Sequence, residues 1–162
     1  MQELRERQGQ RASVMAKEGI LVVQAQSGRG LLCDDPQAFK RILPSDAEPE
    51  LVGSAVREAL SASRFFAPNE ARHFLATAQE ARSLFLQEIA TVAGVAVPQL
   101  FKGMRLCHVV LTAGSMKFVP TARIKREAWE GLGSDYEMFC SSSASNQDVA
   151  DTLSAAMLQC RG

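Results

Sequence analysis

The sequence predicts an α+β fold in which a curved antiparallel sheet packs against helices in two similar halves. Its main support is an approximate internal repeat. Residues 45–64 match residues 142–161 at the pairs Ser45/Ser142, Ala47/Ala144, Val52/Val149, Ala59/Ala156 and Arg64/Arg161. At the same spacing, the polar break Lys17–Gly19 falls on Gly114–Met116, and each break lies between two runs typical of strands. Each half therefore predicts strand, turn, strand, strand and helix.

The first half contains three predicted strands and one predicted helix. The strands are expected at 12–16, 20–26 and 39–43. Small and apolar residues then recur at intervals of three and four from Val52 to Ser63, which is typical of one buried helix face. Ser45 or Asp46 is expected to accept hydrogen bonds from the free amides of the first turn, and Pro49 is favoured near the helix start.

A long helix is predicted between the halves, over residues 70–93. Its apolar stripe consists of Phe74, Leu75, Ala78, Phe85, Ile89 and Val92. Asn69 is expected to cap the helix start, and Gly94 followed by Pro98 is expected to end it. The helix joins the two halves of the repeat without an obvious linker.

The second half repeats the pattern of the first. Its strands are expected at 106–111, 116–120 and 136–140. The closing helix begins with Ser145 and Asp148 in capping-box spacing. One apolar face follows, made of Val149, Leu153, Ala156, Met157 and Cys160. The whole chain, 1–162, therefore predicts one domain with a pseudo-repeat over about 12–64 and 109–161. This pseudo-twofold order resembles that of the Whirly nucleic-acid-binding proteins.

The composition favours a compact protein without a strong electrostatic preference. The chain has 162 residues, of which 46% are hydrophobic, enough for a sizeable core. Lys and Arg number 18, as do Asp and Glu, so only a local patch could attract a polyanion or polycation from a distance. The polar amino terminus and the absence of a run of roughly 20 apolar residues predict a cytoplasmic protein that does not insert into membranes.

No catalytic, cofactor or metal site is predicted from the reactive residues. Four cysteines lie far apart in sequence without a C-x-x-C pair, so buried free thiols are the favoured interpretation. His73 and His108 are the only histidines, and neither has a carboxylate or cysteine at ligand spacing. We therefore expect neither enzymatic activity nor a bound cofactor.

Several short motifs follow one another along the chain. In the last third they are L-F-K-G-M at 100–104, P-T at 120–121, A-W-E-G-L-G at 128–133 and a terminal Cys160–Arg161, with A-L-S-A-S-R-F at 59–65 and S-G-R-G at 27–30 upstream. This order resembles the immunity proteins of bacterial contact-dependent growth inhibition (CDI) systems, whose best-described members neutralise nuclease toxins. The resemblance implies a protein that binds and silences the carboxy-terminal toxin domain of a CDI effector. It also implies a monomer within a heterodimeric complex.

Candidate toxin contacts come from acidic residues that lack a local explanation. Asp46, Glu48 and Glu50 suit a helix amino terminus, which stabilises negative charge. The acidic residues without such an explanation, together with the aromatic residues near them in sequence, are the candidate toxin contacts: Asp34, Asp35, Trp129, Glu130, Asp135, Tyr136 and Glu137. Carboxylates on an inhibitor favour association with the cationic groove of a nuclease. Trp129, the only tryptophan, has two interpretations: an interface anchor or a lid over one end of the core.

Two alternatives to an inhibitor are considered. A Whirly-like protein would bind single-stranded nucleic acid through basic and aromatic residues on its sheet. The basic run at 123–126, with Arg105, Lys117 and Tyr136, is the only feature that favours this function, and aromatic residues make up only 6% of the chain. A small enzyme of unknown class is the third interpretation, and a cleft with strongly perturbed ionisable groups would support it.

Overall fold

Residues 2–162 are described by a computed structural model, in which the predicted elements occur in the predicted order together with two short helices and one strand that the sequence did not predict. In the first half these are α1 (Gln2–Gln8), β1 (Gln10–Lys17), β2 (Ile20–Arg29), β3 (Leu31–Pro44) and α2 (Pro49–Ala62). Two helices connect the halves, α3 (Pro68–Ala93) and α4 (Val97–Leu100). The second half contains β4 (Arg105–Thr112), β5 (Ser115–Lys125), β6 (Ala128–Gly131), a 3-10 turn (Ser134–Tyr136), β7 (Met138–Ser141) and α5 (Asn146–Gln159).

The strands form one open, 7-stranded sheet in which every pair is antiparallel. The order is β3-β2-β1-β4-β5-β6, and β7 pairs with β5 beside β6. Strands β1 and β4 lie at the centre and join the two halves, from Gln10 opposite Leu111 to Ala16 opposite Arg105. The predicted α+β fold with an antiparallel sheet is confirmed.

The third strand of each half differs from its prediction. Strand β3 covers Leu31–Pro44 rather than only 39–43, and it pairs along the length of β2 with a bulge between Gln24 and Ala25. In the second half its counterpart is split, because β6 pairs with one part of β5 and β7 with the other. The strand predicted at 136–140 begins at Met138. Acidic and proline residues concealed the first part of β3, since they are uncommon in strands.

The boundaries of two helices confirm the predicted signals. Ser145 accepts a hydrogen bond from the amide of Asp148 at 3.0 Å, as the capping spacing predicted. Gly94 ends α3 in the left-handed conformation with a φ of 70°, which costs glycine little because it has no Cβ. Both features follow from local backbone chemistry, so the sequence was sufficient to identify them.

The predicted caps of the other two long helices are wrong. Helix α2 is preceded by Glu48 without a side-chain cap, and the amide of Ser45 donates to the carbonyl of Gly19 instead. Asp46 does not cap the helix either. Helix α3 already begins at Pro68, and the carboxylate of Glu70 accepts from the amide of Ala67, so Asn69 lies inside the first turn. Proline near each start removes one amide that would need a partner.

The sheet has helices on both faces and therefore two apolar clusters. On one face α2 and α5 pack side by side over residues from the central strands, including Val14, Val23 and Phe118. On the other face, α3 and the segment around α4 cover Met15, Val22 and Leu106. The predicted faces of α2 and α5 are confirmed: Val52 is partly buried against the cluster, and the other apolar residues of the two faces are at most 7% exposed.

Helices α2 and α5 approach each other closely at Gly53. A Cβ atom on Gly53 would overlap the backbone carbonyl of Asn146. One turn further along α2, Arg57 donates from Nη1 to the carbonyl of Ser142 at 2.8 Å, from Nε to the side chain of Asn146 at 3.0 Å, and from Nη2 to the carbonyl of Ala144. The guanidinium group thus donates hydrogen bonds to the acceptors of the loop that precedes α5. These bonds fix the distance between that loop and α2.

The substitution Gly53→Ala tests this close approach, because the sign of the change in the free energy of unfolding depends on it. In a helix without a neighbour, alanine is favoured over glycine by about 1 kcal/mol. Because the added methyl group meets backbone here, we expect the free energy of unfolding to fall by about 1–3 kcal/mol instead. Urea denaturation measures the change. Gly131→Ala is the matched control, since its Cβ meets only Val119 Cγ1 at 3.6 Å. An increase in stability for Gly53→Ala would contradict the packing.

The helix faces give a second prediction. Val56 is 0% exposed and Leu153 is 2% exposed, so Val56→Asp and Leu153→Asp each place an unpaired carboxylate in the core. We expect each to lower the free energy of unfolding by about 4 kcal/mol or more, or to prevent folding. Glu58→Ala, on the exposed face of α2, removes a surface ion pair with Arg41 and should cost less than about 1 kcal/mol. Similar thermal melts for all three variants would mean that the faces are misassigned.

Candidate functional site

The seven candidate contact residues lie at opposite ends of the sheet. Asp34 and Asp35 are on the edge strand β3, whereas Trp129 and Glu130 are on β6 and the others follow in the segment before β7. Five strand-to-strand steps separate β3 from β6, which corresponds to about 24 Å along a flat sheet. The sequence could not show this separation. One compact partner surface therefore cannot be built from all seven residues.

Asp35 is buried and fully used within the protein. Its two carboxylate oxygens accept from Arg64 Nη2 and Nε, each at 2.8 Å, in a bidentate pair, and Ser27 Oγ donates to it at 2.6 Å. The side chain of Asp35 is only 1% exposed, while that of Arg64 is 43% exposed. The structure therefore corrects the expectation that this carboxylate faces a partner, because it instead ties β3 to the end of α2.

Asp34 points to the opposite face of β3 and is partly buried. Its Oδ1 accepts from Ser13 Oγ at 2.9 Å and from Gln26 Nε2 at 3.1 Å, and its Oδ2 lies 4.0 Å from Arg82 Nε. Burial lowers the pKa of neighbouring His108, and the charge of Asp34 opposes that shift only in part. Asp34 therefore supports a polar row across the sheet and presents little free charge.

The ion pair of Asp35 gives a testable prediction. Asp35→Asn leaves the guanidinium group of Arg64 without its carboxylate, and removing one partner of a buried pair costs about 3–5 kcal/mol. Because Arg64 is partly solvated, we expect the free energy of unfolding to fall by only about 2–3 kcal/mol.

The matched control for Asp35→Asn is Glu88→Gln, which breaks the pair between Lys40 Nζ and Glu88 Oε2 at 2.6 Å. Both side chains of that pair are about half exposed, so we expect a loss below about 1 kcal/mol. Chemical denaturation of both variants provides the measurement. Equal losses would argue against a structural role specific to Asp35.

Trp129 packs against the apolar cluster that α3 and the α4 segment cover. Its indole Nε1 donates to the carbonyl of Met104 at 3.2 Å, and its ring centroid lies 6.1 Å from that of Phe101. The ring is partly buried beside the α4 segment. These contacts favour the lid interpretation of Trp129 over the interface anchor.

The remaining candidates, Glu130, Asp135, Tyr136 and Glu137, lie along one edge of the sheet with Phe139, and we call these five residues the acidic edge. Glu130 and Asp135 are exposed, and Tyr136 is 39% exposed. The side chain of Glu137 is 20% exposed, and its Oε2 lies 3.8 Å from Lys117 Nζ. Phe139, on β7, is 60% exposed.

The sequence pattern predicts that Phe139 is interior, because it is an apolar residue in a predicted strand, and so it does not identify Phe139 as a surface residue. The alternation of residues along Met138–Ser141 could have identified it. It places Phe139 on the face opposite its half-buried neighbours Met138 and Cys140. The residue joins the acidic edge only because β7 has no strand on its outer side within residues 2–162.

The basic residues do not form a nucleic-acid-binding face. Arg105 donates to the carbonyl of Met157 at 3.0 Å, and Lys117 is paired with Glu137. Lys125 and Arg126 are exposed, but they lie at the turn between β5 and β6 rather than across the sheet. A stacking surface needs several rings beside the cations, so this arrangement gives the alternative little support.

The described part of the chain shows no constellation typical of an enzyme. An open groove of about 890 Å³ lies beside α1, between the end of α2 and the β4–β5 turn. Its lining includes Arg5, Glu6 and Arg64, without a converging nucleophile and base. Within residues 2–162, no three His, Cys, Asp or Glu side chains are placed to hold a metal ion. Every helix in that range falls short of the length and apolar character that a membrane span requires.

The sequence motifs meet at two junctions of the fold. At the first, Gly28 of S-G-R-G forms a parallel bridge with Phe65 of A-S-R-F. Gly28 has a φ of 146°, and a Cβ there would overlap the carbonyl of Leu31. At the second, the backbone amide of Arg161 donates to the carbonyl of Thr121 at 2.9 Å. These residues join a helix end to a strand in each half, which is a structural role.

The chain matches one known protein family over most of its length. The family model described as CdiI, CDI immunity protein, matches residues 10–160. A structure titled "Protein of Unknown Function NMB0488 from Neisseria meningitidis" is similar, with 27% identity, a TM-score of 0.88, and coverage of 97% of this chain and 98% of that chain. No curated protein sequence matches the chain.

A second similar structure is titled "CdiA-CT/CdiI toxin and immunity complex from Yersinia pseudotuberculosis". Its matched chain is 20% identical, with a TM-score of 0.84 and coverage of 94% of this chain and 98% of that chain. At this identity the likeness shows a shared fold.

Proposed function

The chain belongs to the family of CDI immunity proteins, and on that premise we propose that it binds and neutralises the carboxy-terminal toxin domain of a cognate CDI effector. The observation that carries the proposal is the family match over residues 10–160, which covers nearly the whole fold. The similar Yersinia pseudotuberculosis structure, a toxin and immunity complex, supports a protein partner. We further propose that the toxin is a nuclease and that the protein acts in the cytoplasm as a non-enzymatic inhibitor.

We propose that the acidic edge contacts the toxin. Glu130 and Asp135 are exposed, and neither has a cationic partner within 4.0 Å in the described chain. A nuclease binds a polyanion, so its substrate groove is typically cationic, and carboxylates on the inhibitor accelerate association with it. Tyr136 and Phe139 add aromatic surface beside these charges, which suits the centre of an interface. Asp35 and Trp129 are not included, because their side chains are used internally.

The backbone of the same edge supports a second mode of contact. Strands β6 and β7 pair only with β5 among residues 2–162, so their outer amide and carbonyl groups have no strand partner. A strand or hairpin from a partner can pair with such an edge, with backbone bonds giving affinity and side chains giving selectivity. The other open edge, β3, carries buried Asp35 rather than exposed acids. The charge distribution therefore favours the β6–β7 edge.

We propose that the inhibitor works as a single domain and as a monomer within a heterodimeric complex. The two halves share the order of hairpin, outer strand and helix, and β1–β4 pairing together with α2–α5 packing joins them. An isolated half would expose both contacts. The internal repeat, over about 12–64 and 109–161, is thus an element of one cooperative unit.

Co-expression tests the function directly. Production of the toxin domain encoded immediately upstream should arrest growth, and this protein should restore it, whereas a toxin domain from an unrelated CDI system should still kill. Protection requires the inhibitor to out-compete the substrate of the toxin, and nuclease–immunity pairs reach dissociation constants of roughly 10⁻¹³ M or below. Cleavage of DNA, RNA or transfer RNA by the purified toxin identifies the target.

Binding kinetics test the acidic edge. The double variant Glu130→Gln/Asp135→Asn should slow association with the purified toxin domain by roughly threefold to tenfold at low ionic strength. The difference from the unmodified protein should shrink as salt is added. Dissociation should change less than association, because exposed charges mainly affect encounter.

The matched control for the kinetic test is Glu80→Gln/Asp151→Asn, which removes the same charge from exposed positions on α3 and α5. We expect it to leave association nearly unchanged. Equal slowing by both variants would indicate that only net charge matters. If neither variant slows association while the complex still forms, the toxin binds elsewhere. Absence of any complex, together with salt-sensitive binding of single-stranded oligonucleotides, would favour the Whirly-like function instead.

A further inference from the structure

Two of the four cysteines meet where the last helix touches the central sheet. Cys107 lies on β4 and is 0% exposed, and Cys160 follows the end of α5 and is 7% exposed. Both belong to the apolar cluster beneath α2 and α5. In sequence they are more than fifty residues apart, so only the packing of α5 on β4 brings them together.

The two thiols are neighbours in this cluster. Cys160 Sγ donates to the carbonyl of Leu106, the residue before Cys107, at 3.2 Å, and Cys107 Sγ lies 3.6 Å from the carbonyl oxygen of His108 on the same strand. The neighbouring thiol of Cys107 lowers the pKa of Cys160 to about 7 against the opposing effect of burial, with the charge of Arg105 assisting. The thiol of Cys160, together with burial, raises the pKa of Cys107. The pair therefore combines one thiol that ionises readily with one that holds its proton.

The other two cysteines provide an internal comparison. Cys33 on β3 and Cys140 on β7 are both more exposed than the buried pair, and they lie at opposite edges of the sheet. Burial raises the pKa of each of these thiols. Exposure alone would make Cys33 and Cys140 the first to react, whereas a neighbouring thiol is available only to Cys107 and Cys160.

We propose that Cys107 and Cys160 form an oxidisable pair that closes to an intramolecular disulfide in the presence of a peroxide. The sulfur of Cys160, the more accessible of the two, attacks hydrogen peroxide, which gives a sulfenic acid and one water. The thiol of Cys107 then attacks that sulfur, forming the S–S bond and releasing a second water. Two thiols are oxidised, one peroxide is reduced, and both thiol protons leave in the water molecules.

The bond would fasten the segment that follows α5 to the sheet. Arg161, next to Cys160, donates from its amide to Thr121 O and accepts from Arg123 N, each at 2.9 Å. Both acceptor and donor lie on β5, the strand that carries β6 and β7. A disulfide also restricts the unfolded chain, and the effect grows with the length of the loop it closes. Oxidation would therefore stabilise the fold around β5 without requiring a partner.

Mass spectrometry of the full-length protein tests the pair. After treatment with hydrogen peroxide, we expect the monomer to be about 2 Da lighter than the untreated protein. When the free thiols are then alkylated, only two, those of Cys33 and Cys140, should react. Peptide mapping should join the peptides that contain Cys107 and Cys160. A reductant such as dithiothreitol should restore four free thiols, and the oxidised protein should melt at a higher temperature.

Variants separate this pair from general thiol oxidation. Cys33→Ala/Cys140→Ala, the matched control, should form the disulfide as the unmodified protein does, while Cys160→Ser should abolish it and leave Cys107 alkylatable. The unmodified protein is informative even if a variant fails to fold. Oxidation confined to Cys33 or Cys140, cross-linking between molecules, or alkylation of both Cys107 and Cys160 after peroxide treatment would overturn the proposal.

Discussion

Helices α2 and α5 meet so closely at Gly53 that no side-chain atom separates the backbone of one from the carbonyl of Asn146 on the other. This approach lets both helices lie on the same face of one sheet and cover the apolar residues of β1 and β4 together. Arg57 completes the contact by binding carbonyl oxygens of the loop before α5. Buried carbonyl groups need donors, so the guanidinium group stabilises a loop that would otherwise require water. Both the central strand pairing and the meeting of Cys107 with Cys160 depend on this placement of α5.

The two edges of the sheet differ in how their acidic residues are buried and paired. At the β3 edge, Asp35 is buried and paired with Arg64, because an unpaired carboxylate there would incur a large desolvation penalty. At the β6–β7 edge, Glu130 and Asp135 remain in water, where their charge is available to a partner. The acidic residues of this protein therefore have two roles: a buried carboxylate stabilises the fold, and exposed carboxylates carry charge at the surface. Only the second kind supports the proposed contact with a cationic toxin.

Apart from Glu130, which lies within A-W-E-G-L-G, the acidic edge contains none of the motif residues that resemble the family, and several of those residues occupy structural junctions. Gly28 and Phe65 join a helix end to β2, and Thr121 and Arg161 make the corresponding junction on β5. Trp129 closes the second core beside the α4 segment. A fold can thus retain these residues while the exposed edge changes to suit a different partner. This division agrees with an inhibitor whose scaffold is shared and whose specificity lies on exposed side chains.

The sequence by itself determined the class of fold, the hairpins, the apolar faces of α2 and α5 and the capped ends at Ser145 and Gly94, because these follow from local periodicity and backbone chemistry. The stripe predicted for α3 was wrong at Leu75 and Val92, which are 37% and 55% exposed. The sequence did not reveal that β3 continues through Asp34 and Asp35, since a buried carboxylate such as Asp35 is tolerated in a strand only when a distant partner such as Arg64 pairs with it. It named residues of the acidic edge but could not separate them from Asp34 and Asp35. Strand order decides which residues share a surface, and strand order is set by long-range pairing of β1 with β4 and by packing of α2 on α5.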